Sequence, residues 1–320
     1  MEIKSRIKGV LFLSLLLLFL CECDRRQITR TDTETSGVAI IAGDECFAPI
    51  INEELAVFTG LNPEAKITPI YTGESNLHDM LLTDSVRLII SSRDLSESQK
   101  ALLLKERKLS VRSQKIARDG IALIINKSNP DSLINTVELK KIMTGEISKW
   151  SELSATNRTD SDQIRVVFDN PNSSTLRFIS ETITEGEPLS SNLRALDSNP
   201  EVIKYVAQTP NALGIIGVNW ISNPNDSTKL SFDNTIRVMS VGIDKDINEE
   251  NTYKPYPVFL NNGDYPLTRD VLMILSDLRG TLPAGFVKFM AGDAGQRIVL
   301  KAGLVPATRP TREIYLKNDF

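Results

Sequence analysis

The chain has 320 residues, which allows one large domain or two of ordinary size. A hydrophobic fraction of 41% and a charged fraction of 24% are typical of globular proteins. The 37 Lys and Arg are outnumbered by 41 Asp and Glu, and no basic run occurs, so the composition argues against nucleic acid as a partner.

The N-terminus has the pattern of an export signal. Lys4, Arg6 and Lys8 precede an apolar run over residues 10–20, and Cys21 follows it directly. The run is too short to span a bilayer, and basic residues before such a run are typical of signal peptides. We therefore predict a signal peptide over residues 1–20.

A cysteine stands where a small-residue cleavage site would be expected. We predict lipid attachment at Cys21, with Cys23 as the alternative, while ordinary cleavage or an uncleaved anchor stays open. The next residues are polar, so residues 21–36 are predicted to be a lipid anchor followed by a disordered tether. Only Cys46 remains beyond them, which excludes a disulfide within the folded part.

Three strand–loop–helix units follow in succession. Each apolar strand ends in a short polar loop and leads into a segment with helical spacing, which predicts a parallel, doubly wound α/β sheet. Ligands bind such sheets at the carboxyl ends of the strands, so the three loops should gather on one edge. The strands are predicted at residues 37–42, 66–71 and 86–90, and the loops at 45–47, 74–76 and 92–93.

The pattern changes near residue 120. Residues 110–117 and 121–126 are strand-like, and Arg118-Asp119-Gly120 between them is interpreted as a turn at a hinge. A helix is predicted over residues 133–143. This change of pattern suggests two lobes.

A run of three hydroxyl residues follows the strand that ends at Phe168. Asn170-Pro171-Asn172 breaks the strand, and Ser173-Ser174-Thr175 begins a segment with helical spacing from Leu176 to Thr184. Unpaired backbone N–H groups and hydroxyls at such a turn suit a small anion. The alternative is that Asn172 or Ser173 is an ordinary helix N-cap.

Five phrases in order carry a family resemblance: ARDGIALIINKSNP (Ala117 to Pro130), IMTGEISKWSEL (Ile142 to Leu153), TPNALGIIGV (Thr209 to Val218), YPLTRD (Tyr265 to Asp270) and GFVKFMAGDAGQRIVLKAGLVPA (Gly285 to Ala307). Together they resemble the phosphate-binding proteins, which are extracytoplasmic substrate-binding components of phosphate ABC importers. The resemblance implies a type II periplasmic-binding-protein-like fold, with two lobes joined by two hinge strands and an anion in the cleft. Lobe 1 is then residues 37–119 with 242–320, and lobe 2 is residues 120–241.

The resemblance also implies four loops that converge on the anion. The chain departs from the usual family pattern, because Asp169 stands where an Arg is usual and Arg93 where an Asp is usual. We therefore expect Arg93 to bind the oxyanion and Asp169 to accept the proton of a hydrogen phosphate; the alternatives are that the two pair with each other or that Asp169 caps its own turn. The expected ligand-binding residues are Cys46, Phe47, Ser75, Ser92, Arg93, Asp169, Ser173, Ser174 and Thr175.

The resemblance therefore indicates a lipid-anchored, monomeric binding protein that delivers phosphate or a similar oxyanion to an ABC permease at a membrane. Glu45 and Glu74 put negative charge near the expected site, which leaves the oxyanion open. No enzyme activity, cofactor or metal is expected, since nucleotide-loop and nucleophile motifs are missing and His78, interpreted as a surface residue, is the single histidine. The alternatives are an oxyanion-sensing module for a signalling partner and a surface phosphatase-like enzyme.

Overall fold

The computed structural model describes residues 31–108, 110–223, 231–277 and 279–308. The predicted signal peptide and the lipidation candidates Cys21 and Cys23 lie outside these residues. Within the described part, no helix has the length and apolar character needed to cross a membrane.

The first part of the chain forms the three predicted strand–helix units. Strand β1 (Gly37–Asp44) lies between β2 (Ala65–Thr72) and β3 (Leu88–Ser91), and both pairings are parallel. β3 is buried along its whole length, as expected for a central parallel strand. The strands are followed by helices α1 (Ala48–Leu61), α2 (Glu74–Leu82) and α3 (Glu97–Arg107).

A single strand, β4 (Arg112–Asn126), replaces the two strands and the turn predicted from the sequence. The turn prediction for Arg118-Asp119-Gly120 is wrong, because these residues pair in antiparallel register with β11 (Thr268–Leu275). The charges of this stretch do not break the strand, since Asp119 is fully buried against Arg269 of β11. Charged residues in the middle of a strand thus mark a buried ion pair here rather than a loop.

β4 connects two halves of one curved sheet. Residues 112–115 and 117–120 pair with β11, and residues 121–126 pair with β8 (Ala212–Gly217) and β9 (Ile236–Val238). The order is β2-β1-β3-β11-β4-β8-β6-β7, which confirms the α/β class and the type II periplasmic-binding-protein-like architecture. The remaining strands of this sheet are β6 (Arg165–Phe168), β7 (Arg194–Ala195) and β12 (Val305–Pro306), and β5 (Leu133–Asn135) pairs with β10 (Ser240–Gly242) in a second sheet.

Two predicted helices have different bounds in the structure. The helix predicted from residue 133 begins at Thr136, because β5 takes the first three residues and Asn135 closes a capping box with Glu138. The segment after the hydroxyl run is α5 (Ser174–Phe178), which continues as a π-helix over Ile179–Ile183.

The C-terminal helices return to the first half of the sheet. Helix α8 (Leu282–Ala291) packs on β1 and β4, and α9 (Asp293–Lys301) packs on α1. The other helices are α4 (Thr136–Thr144), α6 (Asn199–Gln208) and α7 (Pro257–Asn262), and short 3-10 turns cover Glu45–Phe47, Trp150–Glu152 and Val218–Trp220.

The predicted tether extends too far. Asp32 is bound to the folded body, where its carboxylate accepts hydrogen bonds from Arg87 Nη2 and from the Leu282 N–H, each at 3.0 Å. Burial would raise the pKa of Asp32, but the Leu282 N–H and the Arg87 guanidinium together lower it. Asp32 therefore belongs to the folded body and not to the tether.

Candidate functional site

The side chain of Asp44, at the end of β1, joins the two halves of the sheet. Its Oδ1 accepts a hydrogen bond from the Cys46 N–H at 2.8 Å and so caps the 3-10 turn. Its Oδ2 accepts a hydrogen bond from the Ser174 N–H at 3.3 Å, from a residue 130 positions further along the chain. Asp44 is 1% exposed, and this burial raises the pKa of its carboxyl group.

Arg269 of β11 supplies the positive charge next to Asp44. Its Nη1 donates to Ser174 Oγ at 2.8 Å and its Nε donates to Asp119 Oδ2 at 2.9 Å. The guanidinium lies over the Phe47 ring, with 4.8 Å from Cζ to the ring centroid. Burial would lower the pKa of Arg269, but Asp119 raises it above its usual value, so the side chain stays charged.

The Cys46 thiol lies between two residues of the other half. Its Sγ is 2.9 Å from Thr175 Oγ1 and 3.4 Å from Asp169 Oδ2. Burial, with the charge of Asp44, raises the pKa of this thiol well above its usual value. The sulfur therefore acts as a neutral donor in a polar contact, not as a thiolate.

Asp169 is fully buried, and the two hydrogen bonds that its Oδ2 accepts from described residues are both 3.4 Å long. Asn199 Nδ2 donates to Asp169 Oδ2 at 3.4 Å and to Glu45 Oε2 at 2.8 Å. Burial and then the charge of Asp169 raise the pKa of Glu45. Three carboxyl groups, those of Asp44, Glu45 and Asp169, therefore lie close together.

The residues around Asp44, Arg269, Cys46 and Asp169 form what we call the inner cluster. Several buried polar atoms of this cluster have no hydrogen-bond partner in the described part of the chain. Buried polar atoms are normally satisfied, so unpartnered atoms gathered in one region indicate a place where another molecule can bind. The inner cluster comprises Asp44, Glu45, Cys46, Phe47, Asp119, Asp169, Ser174, Thr175, Asn199, Asn219 and Arg269. The unpartnered atoms are Oδ1 of Asp169, Asn199 and Asn219.

A second group, the outer cluster, consists of Glu74, Ser75, Ser92, Arg93, Arg177 and Glu181. All of these except Ser92 line a cavity of about 400 Å³, together with Ser173. Glu74 Oε1 accepts hydrogen bonds from the Ser92 N–H at 3.1 Å and the Ser92 hydroxyl at 2.8 Å. Glu74 also forms an ion pair with Arg177. Burial would raise the pKa of Glu74, but Arg177 and the hydroxyl donors together lower it.

The structure does not bring Arg93 and Asp169 together. Arg93 has 48% of its side chain exposed, and its closest acid is Glu181, with Nη1 3.9 Å from Oε1. The alternative that Arg93 pairs with Asp169 is therefore wrong. His78, interpreted as a surface residue, is 3% exposed, and its Nε2 lies 3.3 Å from the Arg93 carbonyl oxygen, because α2 packs on β3.

The four expected loops thus divide between two adjacent clusters. Cys46, Phe47, Asp169, Ser174 and Thr175 belong to the inner cluster, whereas Ser75, Ser92 and Arg93 belong to the outer cluster. Ser173 stands between them, and its Oγ caps α5 by accepting from the Leu176 N–H, so the N-cap alternative is confirmed for this residue. The clusters touch where the Glu74 N–H donates to the Asn172 carbonyl oxygen at 3.3 Å.

Sequence reasoning missed Asp44, Asp119 and Arg269, which organise the inner cluster. Asp119 and Arg269 carried a signal, since each is a charged residue inside a largely apolar segment. Among the described residues, no group of three or more His, Cys, Asp or Glu side chains is arranged to hold a metal ion.

Comparison with known proteins gives one consistent result. The family model described as "PBP superfamily domain" matches residues 29–294. The phosphate-binding protein PstS of Borreliella burgdorferi is 22% identical over 307 residues, which cover 94% of this chain and 98% of that protein. These matches confirm the resemblance found in the sequence.

Solved structures agree in fold. One from Clostridium perfringens, described as a phosphate ABC transporter substrate-binding protein with bound phosphate, is 24% identical with a TM-score of 0.69, and the match covers 85% of this chain and all of that one. An ABC-type phosphate transport receptor from Vibrio cholerae is 17% identical with a TM-score of 0.62, over 83% of this chain and 99% of that one.

Proposed function

The chain belongs to the PBP superfamily, and on this basis we propose that it captures phosphate or a similar tetrahedral oxyanion outside the cytoplasm for an ABC importer. The named relatives bind phosphate, and the solved neighbours include a complex with phosphate. In this function no bond is made or broken. Ligand binding would instead shift the balance between open and closed arrangements of the two halves.

The observation that carries the proposal is the pair of backbone donors at Cys46 and Ser174. They come from opposite halves of the sheet, and both point at one carboxylate, that of Asp44. A carboxylate is an oxyanion, so this corner already binds two anionic oxygens of the chain itself. The Ser174 hydroxyl accepts from Arg269 Nη1, and the Thr175 hydroxyl lies 2.9 Å from the Cys46 sulfur, so further donors adjoin these two residues.

The acceptors of the inner cluster favour an oxyanion that keeps a proton. Oδ1 of Asp169 and Oδ1 of Asn199 are buried and unpartnered, and each can accept a hydrogen bond from a P–OH group. Sulfate has no proton to donate near neutral pH and would meet only repulsion from Asp169. We therefore infer that phosphate is preferred over sulfate.

Delivery to a permease requires the protein to stay at the membrane. We propose that lipid attached to Cys21, or alternatively Cys23, provides this anchor. The folded body would then start at Asp32, where the first contacts with Arg87 and Leu282 are made.

Isothermal titration calorimetry of the purified protein tests the ligand. We expect saturable binding of phosphate, and at least tenfold weaker binding of sulfate under the same conditions. Equal affinities, or no binding of phosphate, would contradict the assignment.

Replacing Ser174 by proline tests the donor directly. Ser174 is the first residue of α5, where proline fits the helix and has no N–H, and Ser173 before it has the extended conformation that proline requires. We expect Ser174→Pro to weaken phosphate binding by about 1.5–3 kcal/mol, the value of a hydrogen bond to a charged group. Ser174→Ala is the matched control, because it keeps the N–H, and it should retain more affinity than Ser174→Pro. Equal phosphate affinity of the two variants would show that the N–H does not bind the ligand.

A further inference from the structure

We propose that the carboxylate of Asp44 is a built-in competitor for the anion, which phosphate must displace before it can bind. The proposal rests on the proposed function and deepens it, because it assigns to Asp44 the control of affinity at the same site. Asp44 was not among the residues expected from the family pattern.

The competition follows from the number of donors. The Cys46 and Ser174 N–H groups each have one proton to donate, and each donates it to an oxygen of Asp44. A phosphate oxygen can take this position only after the carboxylate has left it. Asp44 is 1% exposed, and Cys46 and Ser174 are fully buried, so the carboxylate and both donor residues are out of contact with solvent.

The charges of the inner cluster make joint occupancy unfavourable. Arg269 is the cation here, and it is already paired with Asp119 at 2.9 Å. Glu45 and Asp169 face the same region, since both accept hydrogen bonds from Asn199. An anion that entered beside Asp44 would bring a further negative charge next to three carboxyl groups. An anion that displaced the Asp44 carboxylate would instead accept the hydrogen bonds that Asp44 accepts now.

Asp44 also connects the halves of the molecule. Its bond to Ser174 ties the end of β1 to the start of α5. Displacement by phosphate therefore replaces an internal contact between the halves with one made through the ligand. The free energy of phosphate binding is therefore less favourable by the free energy that the contact between Asp44 and Ser174 contributes to the unliganded protein.

The variant Asp44→Asn separates the two roles of the carboxylate. The asparagine oxygen can still accept from the Cys46 N–H and cap the 3-10 turn, but its amide group cannot accept from the Ser174 N–H. Glu53→Gln is the control for charge removal alone, because it removes one carboxylate outside both clusters. The two measurements are phosphate affinity by calorimetry and hydrogen–deuterium exchange of the segment that contains Ser174, without phosphate.

We expect Asp44→Asn to bind phosphate at least tenfold more tightly than the unmodified protein and to exchange the Ser174 amide faster. Glu53→Gln should change the affinity by less than threefold and leave the exchange unchanged. Equal or weaker phosphate binding by Asp44→Asn, in a protein that does bind phosphate, would overturn the proposal. If neither protein binds phosphate, the proposed function fails. The exchange measurement then still tests whether Asp44 accepts the hydrogen bond from the Ser174 N–H. Faster exchange in Asp44→Asn would support this hydrogen bond, and unchanged exchange would overturn it.

Discussion

Replacing Arg269 by methionine should lower the free energy of unfolding by about 3–5 kcal/mol, because Asp119 would remain as a buried charge without its partner. Asp119 is 0% exposed and the Arg269 side chain is 3% exposed, so water cannot compensate for the loss. Urea denaturation followed by circular dichroism measures the change. The same substitution also removes the donor to Ser174 Oγ and the cation over the Phe47 ring.

Two further variants test whether the loss of stability comes from burial of the unpaired charge. Asp119→Asn combined with Arg269→Met removes both charges, so it should recover part of the stability that Arg269→Met loses. Arg118→Met is the control for charge removal alone, because its ion pair with Asp270 is partly exposed and should cost less than about 1 kcal/mol. A loss in Arg118→Met as large as in Arg269→Met would show that burial of the pair is not the cause.

Glu54→Gln should stabilise the protein above pH 7, by about 4 kcal/mol at pH 7.5. Glu54 lies on the buried face of α1, and neither of its carboxyl oxygens has a hydrogen-bond partner in the described part of the chain. Burial, with a smaller effect of Glu53, raises its pKa from 4.5 to about 9. Between these values the unfolded chain releases the proton and the folded chain keeps it, so stability falls as pH rises from about 4.5 to 9.

The difference in unfolding free energy between the unmodified protein and Glu54→Gln should therefore grow with pH across this window. Thermal and urea denaturation at several pH values measure it. Glu53→Gln is the matched control, since it removes a neighbouring carboxylate that is not fully buried, and its effect should be small at every pH. A pH-independent difference for Glu54→Gln would contradict the assigned pKa.

Periodicity predicted the elements whose burial pattern is simple. β3 was found because it is a short, largely apolar run, and α1 because its apolar residues repeat with the period of a helix. The continuity of β4 was not found, because Asp119 has the local character of a turn residue and becomes compatible with a strand only through Arg269, 150 positions away. Local patterns do not contain such a pairing.

The site was predicted only in part, because some of its residues also depend on partners that are distant in the sequence. The hydroxyl run and Cys46 were identified from loops at strand ends, and the structure places them together. Asp44 was not predicted, because its role depends on the Ser174 N–H from the other half. Arg93 was favoured for its charge, but the position of a long side chain on an exposed loop depends on partners such as Glu181, which periodicity cannot identify.

The buried sulfur of Cys46 matters for the proposed function outside the cytoplasm. Outside the cytoplasm, thiols meet oxidants and disulfide-exchange partners, and both reactions require an accessible thiolate. Cys46 is 0% exposed and stays protonated, so the folded protein can keep a reduced cysteine in an oxidising compartment. Chemical damage at this position would then require the two halves to separate.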